Sequence, residues 1–144
     1  MSLFTASSHP VDGLRHTVDV NGRHTIFTDE PERLGGGDTA PTPHELLAAM
    51  LASCASTMVT IYAQRHGWGV EGMRVDVEYD ADATPRQATL RLHLPSTLTS
   101  EQVARLRRVA ETCPARRALE AGFEFDEETV LDVATHAGGE PCRG

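Results

Sequence analysis

The sequence predicts an α+β fold built from antiparallel strands and two principal helices. Three observations carry this. The stretch from Thr42 to Gly67 is long, apolar and bracketed by helix signals. Runs alternating between apolar and polar residues lie on both sides of it. Neighbouring runs are joined by short links, which favours antiparallel pairing.

The first runs are LRHTVDV and RHTIFT, from Leu14 to Thr28, with Asn21-Gly22 between them. Asn-Gly between β-type runs predicts a hairpin. DEPERLGGGDTAPTP then reads as a loop rich in Gly and Pro. Its glycines are read as a connector, although they also permit close backbone approach to a site.

The central helix follows. Thr42 is suited to the N-cap, Pro43 to the first helical position, and Glu45 completes a capping box. His66 and Gly67 suit the far end. Leu46, Leu47, Met50, Leu51, Cys54, Met58, Val59, Ile61 and Tyr62 cover most of the circumference, so burial on more than one side is expected. Ser53, Ser56, Thr57 and Thr60 dilute the run, which is read as a core helix rather than a membrane span.

Trp68 to Tyr79 alternates through Met73, Val75, Val77 and Tyr79, and Ala88 to Leu94 through Leu90, Leu92 and Leu94. These predict an antiparallel strand pair. Thr99 and Gln102 make a second capping box, with Val103, Leu106, Val109, Ala110 and Cys113 along one face of the helix behind it. Pro114 breaks that helix, and ARRALEAG gives a short one ending at Gly122. FEFDEETVLDVATH predicts a final strand or strand pair. Residues 1–10 and 137–144 are expected to be mobile ends of one domain spanning 1–144.

At 144 residues the chain can bury a real core, and its net charge of −8 argues against a nucleic-acid surface. No secretory signal is visible in MSLFTASSHP, and three cysteines suggest free thiols in a reducing, cytoplasmic compartment. Few aromatics and an uncharged helix predict a homodimer that completes the core.

Cys54 has two readings from the residues alone. It is a small core residue, or a reactive thiol. Cys113, on the apolar face of the second helix, has the same two. His16 and His24 flank the hairpin turn without a carboxylate or thiolate partner, so no zinc site is read. No phosphate loop and no cofactor motif are present.

GGGDTAPTPHELLAAMLASC and the later TCPARRALEAG resemble the OsmC/Ohr superfamily of thiol-dependent hydroperoxide reductases and their relatives. The likeness extends over DVNGRHTIFTDEPERLGG and RHGWGVEGMRVDVEYD, nearly the whole chain. It implies an intertwined dimer, with two central helices between antiparallel sheets and active sites at the subunit interface. It also implies that Cys54 is the peroxidatic cysteine and Cys113 the resolving one. An arginine and a glutamate complete the family's site. Arg23 is the nearest match for the arginine, with Arg15 and Arg33 as alternatives.

The glutamate position departs from the pattern. Family peroxidases place it directly after the proline, where this chain has His44. Glu45 comes next, about 180° around the helix from Cys54, and is better suited to capping. His44 is offset from Cys54 by about 80° and can either polarise the thiol or lie at the surface. The likeness is therefore to the broad OsmC-like branch.

Two functions follow. One is reduction of organic hydroperoxides through a Cys54 sulfenic acid and a Cys54–Cys113 disulfide, recycled by an external dithiol. An apolar lining from Met50, Leu51 and Met58 would favour organic peroxides. The other is a non-enzymatic dimer that binds a small apolar ligand and keeps its cysteines for packing.

Overall fold

The computed structural model describes residues 3–132. In order it contains β1 (Ala6–Asp12), β2 (Arg15–Val20), β3 (His24–Thr28), a short 3-10 turn (Glu32–Leu34), α1 (Pro43–His66), β4 (Arg74–Asp80), β5 (Gln87–His93), α2 (Ser100–Glu111) and α3 (Pro114–Ala121). β1–β2–β3 form one antiparallel sheet and β4–β5 another. This is the α+β class that the patterning predicts.

Both long helices begin as their sequences specify. The Thr42 hydroxyl accepts from the Glu45 amide at 3.2 Å, and the Glu45 carboxylate accepts from the Thr42 amide at 2.8 Å. Thr99 and Gln102 repeat the arrangement at 3.2 and 2.9 Å. Each pairing satisfies amides that a helix start leaves free. At the far end of α1, Gly67 adopts a φ of 67° and its amide closes the last turn.

Three boundaries differ from expectation. β4 starts at Arg74, not Trp68, because the chain first turns. The Trp68 amide bonds back to the Ala63 carbonyl at 2.9 Å, and the Met73 amide to that of Val70 at 3.0 Å. Residues 6–10, within the end expected to be mobile, form secondary structure. They belong to β1, paired with β2 in a register from Ala6 opposite Val20. Periodicity missed this strand because it is polar and contains Pro10, which an edge strand tolerates.

The expected strand after Gly122 is corrected as well. Residues 123–132 form no ladder among the described residues, and Phe125 and Leu131 are 83% and 90% exposed. Alternation prepares a segment for pairing but does not supply the partner edge. Residues 133–136 of that expected strand, and the tail with His136 and Cys142, lie outside the described residues.

The core forms where α2 and α3 pack on α1. Ala55, Val59 and Ala63 meet Leu106, Ala110 and Cys113. The alanines let the helices approach closely, so Leu106 is fully buried. Among the described residues one stripe of α1 is closed. Leu51, Ala55, Val59 and Ala63 are buried, whereas Met50 and Ile61 remain 42% and 37% exposed. α1 is long and apolar enough to cross a membrane by length and composition alone. Here β4, α2 and α3 pack against it. Among the described residues, no other element packs extensively on the β1–β3 sheet.

Candidate functional site: a cysteine pair between α1 and α3

Cys54 lies mid-α1, half-buried beside the core cluster. Cys113 is the N-cap of α3, fully buried, because Pro114 ends the path of α2 and starts the next helix. Cys54 packs against the buried cluster that contains Cys113, the two thiols are close enough to influence each other, and both are free. Burial pushes the Cys113 thiol up, and the neighbouring Cys54 thiol adds to this. The first-turn amides of Arg116 and Ala115 act the other way.

The other site candidates sit apart from this pair. The Glu45 carboxylate is engaged by the Thr42 amide in the capping box. The His44 ring stacks on Tyr79 of β4, with centroids 5.9 Å apart and planes at 27°. Arg23 and Arg33 are exposed. Arg15 differs. Its guanidinium lies over the Phe27 ring at 4.6 Å, and its Nε is buried without a partner among the described residues. Of the expected apolar lining, Leu51 is 3% exposed and Met58 packs on the core, but Met50 faces outward.

A groove of about 860 Å³ opens between the β4–β5 sheet and the helices. Leu51, Leu90, Leu92, Val103 and Leu119 line it, together with Arg107 and Arg116, and its lining includes neither cysteine. No cluster of metal-binding side chains occurs among the described residues.

Sequence reasoning did not single out Arg116 or Asp29. Arg116 lies on the first turn behind Cys113 and pairs with Glu120 at 2.8 Å. Its place three residues after the cysteine was the available signal. Asp29 ends the first sheet and is only 2% exposed. Its carboxylate accepts from the Thr39 hydroxyl at 2.7 Å and from the amides of Glu30 and Thr39 at 2.8 and 3.1 Å. The Asp29 amide bonds to the Pro41 carbonyl at 3.3 Å, so the same residue ties β3 to the entrance of α1.

The model of the OsmC-like protein family matches residues 35–128. A search of curated proteins found no match. Among solved structures, one from Psychrobacter arcticus is described as an osmotic stress induced and detoxification response protein. It is 25% identical with a TM-score of 0.68, over 81% of this chain and 88% of that one. An organic hydroperoxide resistance protein OsmC from Legionella pneumophila is 25% identical with a TM-score of 0.62, over 83% and 90%. An OsmC-like protein from Mycoplasma pneumoniae shares the fold at 15% identity, with a TM-score of 0.67 over 83% and 88%. The family match spans the central helix, both cysteines and the β4–β5 pair, and the chain therefore belongs to the OsmC-like protein family.

Proposed function

We propose that this protein reduces organic hydroperoxides with the Cys54–Cys113 pair. The observation that carries the reading is the meeting of the two thiols, one half-buried and one fully buried, across α1 and α3. The Cys54 thiolate attacks the O–O bond, an alcohol leaves, and a sulfenic acid forms. Cys113 then condenses with it, releasing water and forming a disulfide that blocks further oxidation. An external dithiol restores both thiols by exchange. The Legionella relative, named for organic hydroperoxide resistance, supports this class of substrate.

The reading includes a homodimer. The β1–β3 sheet, on which no other element packs extensively among the described residues, the exposed Phe123 and Phe125, and the open groove all leave apolar surface that a second copy can close. Among the three candidate arginines, the unpartnered Nε makes Arg15 the best suited to hold a thiolate or peroxide. Among the described residues its sheet makes no extensive contact with the α1 of its own chain, so Arg15 would serve the partner's thiol.

A second reading is favoured by the groove, which includes neither cysteine in its lining. Here the protein binds a small apolar ligand and the thiols only pack. Consumption of cumene hydroperoxide with excess dithiol, wild type beside Cys54→Ser, separates the two. Turnover lost in the variant supports the peroxidase. Turnover no faster than dithiol alone in both proteins removes that reading and leaves the binding module.

A further inference from the structure

The two sulfurs of the pair are not equivalent. Cys113 is fully buried within the core cluster and at the N-cap of α3, whereas Cys54 retains exposure. Thiol–disulfide exchange needs the incoming thiolate in line with the S–S bond. The sulfur that can be reached is attacked and the other one leaves. We propose that the reductant attacks Cys54, that Cys113 is the leaving thiolate, and that Arg116 on the first turn of α3 is a positioning residue for that departure. This rests on the disulfide of the proposed function and adds its direction.

The step balances as follows. A reductant thiolate bonds to Cys54 Sγ, and the electron pair of the Cys54–Cys113 bond passes to Cys113 Sγ, which takes a proton. The second thiolate of the dithiol attacks the reductant sulfur bound to Cys54 and releases Cys54. The dithiol loses two electrons and becomes a cyclic disulfide, while the protein regains two thiols.

Expelling charge onto a buried sulfur is unfavourable unless something receives it. The surroundings of Cys113 offer three groups. The amides of Ala115 and Arg116 address the thiol, and the Arg116 guanidinium lies near enough for its charge to be felt there. Glu120 holds that guanidinium at 2.8 Å, with Glu111 of α2 also close. Among the described residues, Cys54 from α1 and Arg116 from α3 act on the sulfur, while Glu111 from α2 and Glu120 from α3 act on Arg116. Arg116 also lines the groove, so its side chain borders open space.

The test uses the full chain carrying Cys142→Ser, so that only the pair remains. Diamide forms the disulfide without any peroxide step, which keeps this test independent of peroxidase activity. A brief pulse of glutathione, quenched with N-ethylmaleimide, is followed by peptide mass spectrometry. The expected result is glutathione on Cys54 and maleimide on Cys113. The opposite labelling, or no Cys54–Cys113 disulfide after diamide, overturns the proposal.

Arg116→Gln is expected to slow reduction of the preformed disulfide about three- to tenfold, with its formation by diamide unchanged. Arg116→Lys should recover at least half of the lost rate. Equal reduction rates in wild type and Arg116→Gln remove Arg116 from the mechanism. Correct labelling in a protein that consumes no hydroperoxide would sustain the exchange direction and remove only the peroxidase reading.

Discussion

The thiols of Cys54 and Cys113 meet although one belongs to the middle of α1 and the other to the start of α3. A sulfenic acid at Cys54 would therefore have its resolving partner in place. Cys113→Ser should remove that protection. After one equivalent of cumene hydroperoxide, wild type is expected to show the intact mass of a disulfide. Cys113→Ser should progress to a sulfinic acid on Cys54 as more peroxide is added. A variant that stays fully reduced would separate Cys54 from peroxide chemistry.

The exposed faces predict assembly. Ile26 and Phe27 of β3 are 39% and 41% exposed on a sheet that no other element covers extensively among the described residues. Sedimentation at micromolar concentration is expected to give a dimer. Ile26→Asp should shift it toward monomer, since it places a charge on an apolar contact. A monomeric wild type at that concentration would refute the dimer.

Asp29 should mark the acid limb of stability. Its carboxyl is held down, from an ordinary 3.8 to about 2. The Thr39 hydroxyl is the main cause, followed by the Glu30 and Thr39 amides, while burial opposes them. A carboxyl lowered in the folded state contributes stability above its unfolded value and loses it as pH falls through the folded one. Asp29 therefore contributes fully above about pH 4, and its contribution fades between about 4 and 2. Asp29→Asn is expected to flatten unfolding curves across that window and to lower the melting temperature at neutral pH. Curves that keep their slope would assign the acid sensitivity elsewhere.

Gly36 predicts a second weak point in the same loop. A Cβ there would stand 1.9 Å from the Glu30 carbonyl oxygen, which is backbone and has little freedom to yield. Gly36→Ala should cost at least about 2 kcal/mol, read by urea denaturation. Gly69→Ala meets nothing within 4 Å and serves as the control.

Leu106 is the largest fully buried side chain among the described residues. Leu106→Ala removes its contacts with α1 and is expected to cost about 2–5 kcal/mol. The same denaturation series measures it, and a loss below 1 kcal/mol on that scale would mean that the site collapses around the smaller residue.

Much of this protein was legible locally. Thr42, Glu45 and Gly67 define α1, and Thr99 with Gln102 starts α2, because caps and turns are decided by residues within a few positions of each other. Alternation through Val75, Val77, Leu90 and Leu92 likewise specified the β4–β5 pair. The cysteine contexts identified the family, which the match over residues 35–128 bears out. What the tertiary structure decided lies between distant segments. It brought Cys113 near Cys54, carried His44 to Tyr79, and left Arg15 Nε without a partner among the described residues. It also recruited the polar residues 6–12 as an edge strand and left residues 123–132 without a ladder among the described residues. Local sequence encodes propensity and facing. Burial and pairing depend on which surfaces the folded chain brings together, and those appear only when the helices and sheets have packed.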